Sequence, residues 1–196
     1  MKKKIIILGA GGHAKSCIDI IEAENKYKII GLLDQNKKKG FKVSKYSVLG
    51  SDSYLKEVRI ITNVAFLAVG HIKDSEAREK LYFKAKKMGF YFPKIISPHS
   101  IISPYSKIGE GSLIAHGVKI NSNSSVGHNC IINTNANIEH DVKIGNFCHI
   151  STSVTVNGEV KIGNRCFVGS GSIIKNLVKI KDNTFLPMCS VLKKDI

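Results

Sequence analysis

From residue 95 to residue 196, the apolar positions of the chain recur every six residues without an insertion. Cut from Ile95, this stretch gives seventeen hexads, whose second residue is always Ile, Val or Leu. The sixth residue is Ser, Thr, Cys, Ala or Val in every hexad but the final one. A period of six fits neither an amphipathic helix nor an alternating strand. It is typical of a β-helix, in which each hexad forms a short strand and a corner and three hexads complete a triangular coil.

The hexad frame predicts which side chains point into the prism. The branched second residue is expected to fill the core, and the small sixth residue to pack inside near the corner. Cys130, Cys148 and Cys166 are sixth residues spaced eighteen apart, so they are expected to stack as an inward ladder of small apolar side chains. Their spacing lacks the CxxC pattern of a metal site. Burial would also make these thiols poor acyl-carrying nucleophiles.

In residues 1–92, segments with the pattern of a strand alternate with segments that have the pattern of a helix. The segments KIIIL, YKIIGLLD and VAFLAVG predict strands, whereas GHAKSCIDIIEAE and DSEAREKLYFKAKKMGF predict helices. Cys17, Ile18 and Ile21 lie on one face of the first helix, and the second ends near Gly89. This order is typical of a small parallel α/β sheet, Rossmann-like in type. The segment FPK marks the junction, so the predicted domains are residues 1–92 and 93–196.

The first strand runs into a glycine-rich turn, LGAGGHAKS, that fits G-x-G-x-x-A at Gly9, Gly11 and Ala14. Asp34 ends the second strand, about where a ribose-binding acid stands in dinucleotide-binding folds. The turn alone would indicate NAD. However, a domain of about 90 residues is roughly half of a two-lobed dinucleotide fold, which disfavours NAD. The residues themselves support a phosphate bound at a helix N-terminus, with Asp34 accepting hydrogen bonds from a ribose or base.

The net charge of +15 points to partners that carry phosphate. All but three of the 30 basic residues are lysines, aromatic residues make up 7 % and Trp is absent. This composition disfavours nucleic-acid binding, which relies on arginine forks and aromatic stacking. Lys143, Lys161 and Lys179 are first residues of their hexads and form an outward basic stripe, which is either a solvated face or a place near which phosphates sit.

The apolar run at the start of the chain, Ile5 to Leu8, is too short for a membrane span or a signal peptide. The five cysteines are an odd number without a secretory signal, so they do not suggest a disulfide framework. The sequence therefore predicts a cytoplasmic protein.

A small α/β domain that opens with GAGGHAKS and precedes a hexapeptide β-helix resembles the bacterial sialic-acid O-acetyltransferase family. Relatives in that family N-acetylate nucleotide-linked 4-amino sugars, as in bacillosamine and perosamine pathways. The resemblance covers essentially the whole chain. It implies a left-handed parallel β-helix, against the usual right-handed crossover rule. It also implies a homotrimer with active sites between subunits, acetyl-CoA as co-substrate along the β-helix, no metal, and a nucleotide-sugar rather than NAD at the glycine turn.

The resemblance also assigns substrate-binding residues in the first domain. The segment GAGGHAK matches the nucleotide loop of the family at Gly11, Gly12 and His13. The segment LLDQ places Asp34 where the family has a base- or ribose-contacting acid, and Gln35 where some relatives have a second acid. The segment LAVG, which ends at Gly70, matches a strand end that lines the same pocket.

The segment NTNANIEHDVKIGNFCHIS matches the catalytic segment of the family. His140 falls on the general base and Asp141 on its carboxylate partner. Asn133 falls on a substrate-side asparagine, and His149 on a histidine near the acetyl group, although a packing role between prisms fits His149 equally well. The resemblance places three further residues against the coenzyme: Gly158, whose N–H would face the thioester carbonyl, Gly169 and Ser170.

His140 is the fourth residue of its hexad and is therefore expected on the outside of the prism, where Asp141 or Glu139 could orient its imidazole. The resemblance implies that the acceptor amine attacks the thioester directly while His140 takes its proton. The predicted function is N-acetylation of a nucleotide-linked 4-amino sugar in surface-glycan biosynthesis. Two alternatives remain at this point: O-acetylation of a sialic-acid-type or other sugar hydroxyl, and a non-catalytic scaffold trimer that binds nucleotide-sugars.

Overall fold

The computed structural model describes residues 2–72 and 75–196. The chain divides into two compact units: Met1–Gly70 with Glu76–Pro93, and His71–Ser75 with Lys94–Ile196. The division after Pro93 lies within the FPK segment. Within the described residues, no helix has both the length and the apolar character needed to cross a membrane.

The first unit is an α/β sheet. Its elements are, in chain order, β1 (Lys3–Leu8), α1 (Gly12–Glu24), β2 (Tyr27–Leu33), β3 (Lys42–Val43), β4 (Tyr46–Gly50), a 3₁₀ turn (Asp52–Tyr54), α2 (Leu55–Ile61), β5 (Ala65–Leu67) and α3 (Glu76–Lys87). The strands lie in the order β3-β4-β2-β1-β5. All of the pairs are parallel except β3 with β4.

The centre of this sheet is the apolar run at the start of the chain. The four residues Ile5 to Leu8 are fully buried in β1, which is the environment that a parallel sheet covered on both faces provides. The three strands and two helices predicted from the sequence are confirmed, with the third strand limited to Ala65–Leu67 and the second helix to Glu76–Lys87. Asp74, where that helix was predicted to begin, lies outside the described residues. The β3–β4 hairpin and α2 were not predicted, because elements of two to seven residues are too short to establish a period.

The second unit contains seventeen two-residue strands, each formed by the first and second residues of a hexad. They are β6 (Ile95–Ile96), β7 (Ile101–Ile102), β8 (Lys107–Ile108), β9 (Leu113–Ile114), β10 (Lys119–Ile120), β11 (Ser125–Val126), β12 (Ile131–Ile132), β13 (Asn137–Ile138), β14 (Lys143–Ile144), β15 (His149–Ile150), β16 (Thr155–Val156), β17 (Lys161–Ile162), β18 (Phe167–Val168), β19 (Ile173–Ile174), β20 (Lys179–Ile180), β21 (Phe185–Leu186) and β22 (Val191–Leu192).

These strands stack into the three sides of a prism. Side one holds β6, β9, β12, β15, β18 and β21; side two holds β7, β10, β13, β16, β19 and β22; side three holds β8, β11, β14, β17 and β20. Each strand pairs in parallel with the third strand after it, so that Ile131 lies opposite His149. This pairing confirms the predicted parallel β-helix of hexapeptide repeats.

The cysteine ladder lies inside the prism, as predicted. Cys130, Cys148 and Cys166 are fully buried, and each Sγ lies 2.9–3.1 Å from a carbonyl oxygen of the next coil. Contact with the neighbouring thiols, followed by burial, raises the pKa of Cys148. Over residues 2–72 and 75–196, no group of three or more His, Cys, Asp or Glu side chains is placed to hold a metal ion.

The corners of the prism depend on a conformation that the sequence pattern did not reveal. The fifth residue of every hexad from Gly111 to Cys189 has a positive φ, although only three of these residues are glycine. The left-handed conformation costs most residues roughly 1–2 kcal/mol. At all of these corners except Gly111 and Asn123, the N–H of the fifth residue donates to a carbonyl of the preceding coil, as Asp141 does to Ser122 at 3.0 Å and Glu159 to His140 at 3.0 Å. These bonds stabilise the left-handed conformation.

Glycine at the third hexad position permits close approach of successive coils on side three. A Cβ at Gly145 would lie 2.7 Å from the carbonyl carbon and oxygen of Gly163. Because these neighbours are backbone atoms rather than a flexible side chain, they cannot move aside without disturbing the ladder of hydrogen bonds between coils.

We expect Gly145→Ala to lower the free energy of unfolding by about 1–3 kcal/mol, since the added methyl group must displace the next coil. Urea denaturation followed by circular dichroism measures the change. Lys143→Ala is the matched control on the same side of the prism: its side chain is exposed, and we expect a change within about 0.5 kcal/mol. Equal stability of the two variants would contradict the packing argument.

Candidate functional site

The glycine turn after β1 exposes the N-terminus of α1. Gly9 has φ +104°, and a Cβ there would lie 2.8 Å from Val69 Cγ2, so this position admits only glycine without strain. Gly11 is the N-cap residue and Gly12 begins the helix, with no side chain capping it. No heavy atom lies within 4 Å of a Cβ built at Gly11 or Gly12. Open space beside the first N–H groups of a helix is suited to an anion.

Both carboxylate oxygens of Asp34 accept hydrogen bonds from backbone N–H groups, one of them in this turn. Oδ2 accepts a hydrogen bond from the Ala10 N–H at 2.7 Å, and Oδ1 accepts one from the Asn36 N–H at 2.8 Å. The residue therefore fixes the loops that follow β1 and β2. Each oxygen has a second lone pair, so the contact with a ribose or base stays a prediction. The neighbouring Gln35 donates to Asp52 Oδ2 at 2.8 Å, and burial raises the pKa of Asp52.

A cavity of about 340 Å³ lies where β1, β2 and β5 end. Its lining consists of Gly9, Leu33, Asp34, Gln35, Asn36, Asp52, Val69, Ala77, Lys80, Leu81 and Lys84. Ligands of parallel α/β sheets bind at the carboxyl ends of the strands. Lys80 and Lys84, one turn apart on α3, add two positive charges that sequence reasoning missed, because a lysine on a helix gives no signal that it faces a cavity.

Gly70 and His13 are neighbours at the same edge. A Cβ at Gly70 would lie 3.4 Å from the His13 Cβ. The strand end that leads to Gly70 is held by Arg78, a buried side chain of α3 that donates to the carbonyl oxygens of Leu67, at 3.0 Å, and Val69. Arg78 was also missed, since its sequence context is that of an ordinary helix.

In the second unit, His140 lies at the corner between sides two and three, exposed as predicted. Its Nδ1 lies 2.9 Å from Asp141 Oδ2, so Asp141 rather than Glu139 orients the imidazole. The Glu139 carboxylate instead accepts hydrogen bonds from Asn121 at 2.9 Å and Asn137 at 2.7 Å. With Nδ1–H donating to Asp141, Nε2 of the neutral ring carries the lone pair that can take a proton.

The electrostatics of this corner favour a charged imidazole. The hydrogen bond that His140 donates to Asp141 raises the pKa of His140, and the nearby carboxylates of Glu139 and Glu159 raise it further. The same bond lowers the pKa of Asp141. Both side chains are solvent-exposed, so the effect comes from contact and charge rather than from burial.

Gly158 lies one coil beyond His140 and directly against its ring. A Cβ at Gly158 would be 2.7 Å from His140 Nε2 and Cε1, so any larger residue would collide with the predicted base. The backbone of this glycine therefore borders the nitrogen that would receive a proton.

His149 is a buried residue of β15 on side one. Its Nδ1 lies 2.8 Å from the carbonyl oxygen of His71, so Nδ1 carries the hydrogen and Nε2 of the neutral ring is an acceptor. Asn133 Nδ2 lies 3.5 Å from that Nε2. The His149 ring packs edge-on against Phe167, with the ring centroids 5.2 Å apart.

The predicted acetyl-transfer residues fall into two groups on different corners. His140, Asp141 and Gly158 share the corner between sides two and three. Asn133, His149, Gly169 and Ser170 lie on side one and at the corner that follows it. A Cβ at Gly169 would lie 2.3 Å from the Met188 nitrogen, and the hydroxyl oxygens of Ser170 and Ser151 are 2.8 Å apart. A single prism does not bring the two groups together.

Two family models match the chain. The PglD N-terminal domain matches residues 4–85. The GMPPB C-terminal domain matches residues 96–196, which is just over half of the chain. A curated relative, UDP-N-acetylbacillosamine N-acetyltransferase of Bacillus subtilis (strain 168), is 34 % identical over 117 residues. That match covers 57 % of this chain and spans about half of the relative's length, at 51 %.

Solved structures match over nearly the whole chain. Perosamine N-acetyltransferase from Caulobacter crescentus, in a variant complexed with CoA and GDP-perosamine, has a TM-score of 0.93 at 31 % identity and covers 98 % of this chain and 90 % of its own. The acetyltransferase domain of PglB from Neisseria gonorrhoeae FA1090, complexed with acetyl coenzyme A, has a TM-score of 0.92 at 26 % identity, with 100 % and 93 % coverage. The chain therefore belongs to the family of nucleotide-amino-sugar N-acetyltransferases in which a PglD-type domain precedes a hexapeptide-repeat β-helix.

Proposed function

We propose that this protein transfers the acetyl group of acetyl-CoA to the amino group of a nucleotide-linked 4-amino sugar. The observation that carries the proposal is the exposed His140–Asp141 pair, with Nδ1 bound at 2.9 Å and Nε2 against the backbone of Gly158. The relatives that match the chain are named for acetyl transfer to bacillosamine and perosamine, the latter complexed with CoA and a GDP-linked sugar.

Direct acetyl transfer requires a base and a group that stabilises the oxyanion, and it proceeds without an acyl-enzyme intermediate. The acceptor nitrogen attacks the thioester carbonyl while His140 Nε2 takes its proton. When the C–S bond breaks, the imidazolium returns that proton to the departing sulfur, so that CoA leaves as the thiol and His140 is again neutral. In our proposal the N–H of Gly158 faces the carbonyl oxygen and stabilises its developing charge. The buried thiols of Cys130, Cys148 and Cys166 support direct transfer, because a thiolate inside the prism is costly.

The first unit would hold the nucleotide part of the acceptor. In this proposal the N–H groups at Gly11 and Gly12 bind the diphosphate, and the cavity beside Asp34 and Gln35 takes the nucleoside. Lys80 and Lys84 would balance the negative charge of the ligand. His13 and Gly70 would border the same ligand, as the resemblance implies. Acetyl transfer uses no nicotinamide, so NAD has no role here.

The two groups of acetyl-transfer residues support a trimer with sites between subunits. His140 and Asp141 of one prism would face Asn133 and His149 of the next, and Gly169 and Ser170 would line the coenzyme. The relatives named above are N-acetyltransferases, which favours an amine acceptor over O-acetylation of a sugar hydroxyl. A cytoplasmic location and a role in surface-glycan biosynthesis complete the proposal.

The direct test is acetyl-CoA-dependent thiol release with UDP-, GDP- and dTDP-linked 4-amino sugars and with free sialic acids. We expect release with a nucleotide-linked amine. His140→Ala should lower kcat by about 10²–10⁴-fold, since it removes the proton acceptor, with little change in acetyl-CoA affinity. Near-wild-type turnover of His140→Ala would reject the base, and release with sialic acids alone would reject the acceptor.

Gly11→Val tests the nucleotide site. The protein leaves room for the new side chain, since no heavy atom lies within 4 Å of a Cβ at this position, so a loss of binding reports on the ligand. Titration calorimetry should show that UDP, GDP or dTDP binds the wild-type protein more tightly than NAD or free sugar, and that the variant loses this binding while acetyl-CoA still binds. Normal acetylation by Gly11→Val, or binding of NAD alone, would contradict the assignment.

Mixed trimers test the shared active site. One chain carries His140→Ala, the other carries Asn133→Ala and His149→Ala, and each alone should be nearly inactive. Random mixing leaves both wild-type groups at about a quarter of the interfaces, so about a quarter of the activity should return. Two differently tagged His140→Ala chains form the control and should recover nothing. Failure of the first mixture to recover activity, in trimers confirmed by sedimentation, would reject the shared site.

A further inference from the structure

We infer that Asn123 is a positioning residue for acetyl transfer: its amide holds the Asp141 carboxylate in the orientation that presents Oδ2 to His140. The inference rests on the proposed function, in which His140 is the base. Asn123 lies one coil before Asp141 at the same hexad position, and nothing in the pattern of hexads distinguishes it from other corner asparagines.

The geometry fixes the carboxylate at both oxygens. Asn123 Nδ2 donates to Asp141 Oδ1 at 2.5 Å, and Oδ2 of the same group lies 2.9 Å from His140 Nδ1. A carboxylate bound at one oxygen alone can turn about its Cβ–Cγ bond. The Asp141 side chain is 43 % exposed, so little packing restrains that rotation and water competes for both oxygens. The amide of Asn123 supplies the missing restraint, as outer hydrogen bonds do for catalytic groups.

The left-handed corner aims the amide. Asn123 has φ 59° and Asp141 has φ 61°, so the two residues share one backbone conformation, eighteen residues apart. In this stacking, a side chain at the fifth position reaches its equivalent in the next coil. Asparagine tolerates the left-handed region better than most residues and carries an N–H donor, which explains why it suits this corner.

Other charged groups around the pair cannot replace this contact. Glu139 and Glu159 lie close enough to raise the pKa of His140, and Lys143 helps to lower that of Asp141. Glu139 is engaged by Asn121 and Asn137 instead of the imidazole. The bond from Asn123 also lowers the pKa of Asp141, which keeps the carboxylate ionised and His140 in the Nδ1–H tautomer.

Two substitutions remove the donor while respecting the backbone. Asn123→Gly is compatible with the corner, because Gly111 and Gly117 occupy the same hexad position with positive φ. Asn123→Asp keeps the size and conformation, as Asp141 itself shows, but has no N–H. The matched control is Asn183→Gly, a left-handed fifth residue with φ 61° at the corner that follows side three. Its side chain accepts a hydrogen bond from Arg165 at 2.7 Å.

The readouts are steady-state kinetics and ¹⁵N NMR of the His140 ring. We expect both variants to lower kcat by about 10-fold or more while the KM for acetyl-CoA changes less than about twofold, because the amide acts through the base and not on the coenzyme. Neutral His140 should shift from the Nδ1–H tautomer towards a mixture in both variants. In Asn123→Gly its pKa should also fall towards the usual value of about 6.5, since the Asp141 bond that raises it is weakened. Asn183→Gly should change none of these.

Wild-type kcat and an unchanged tautomer in folded Asn123→Gly and Asn123→Asp would overturn the inference. Circular dichroism and thermal melting establish that the variants are folded. Asn183→Gly measures how much kcat and stability change when a corner asparagine that does not contact Asp141 is replaced. Because the NMR measurement needs no substrate, it tests the Asn123–Asp141–His140 contact even if the wild-type protein acetylates no nucleotide-linked amine, which would refute the proposed function separately.

Discussion

The backbone hydrogen bonds between successive coils are the constraint on which the second unit depends. Each strand pairs with the strand eighteen residues later, and from Gly117 to Cys189 the N–H of every left-handed fifth residue except Asn123 donates to a carbonyl of the coil before it. These bonds fix one register for the whole prism. Residues eighteen apart therefore stack in columns along the prism. The register determines which side chains are neighbours, both within one column and between adjacent columns.

This register sorts reactive side chains by hexad position. The sixth position points inward, where burial and neighbouring thiols leave Cys148 protonated and without access to substrate. The fourth position points outward, where His140 meets Asp141 at the corner and remains accessible. The repeat thus places core-packing side chains at the sixth position and exposed, reactive side chains at the fourth position.

The pKa of His140 is shifted by contact rather than by burial, which has a consequence for catalysis. A raised pKa keeps more of the imidazole protonated at neutral pH, so less of it is ready to accept a proton, and the fraction of free base rises with pH. The Asp141 bond offsets this cost by holding Nε2 as the acceptor nitrogen in the neutral ring. Orientation of the base, and not a large displacement of its pKa, is what this corner provides.

The sequence by itself determined the hexad frame, the inward cysteines, the outward His140 and the glycine turn before α1, because each is a local pattern whose meaning does not depend on distant residues. It did not decide between Asp141 and Glu139, and it gave no sign of Arg78, Lys80 or Lys84. Those outcomes depend on side-chain directions and on elements that meet only after folding. The left-handed conformation at the fifth position has no sequence signature, since residues as different as Phe147 and Glu159 adopt it. The hydrogen bonds between assembled coils select that conformation, because they offset its conformational energy cost, which an isolated hexad could not offset.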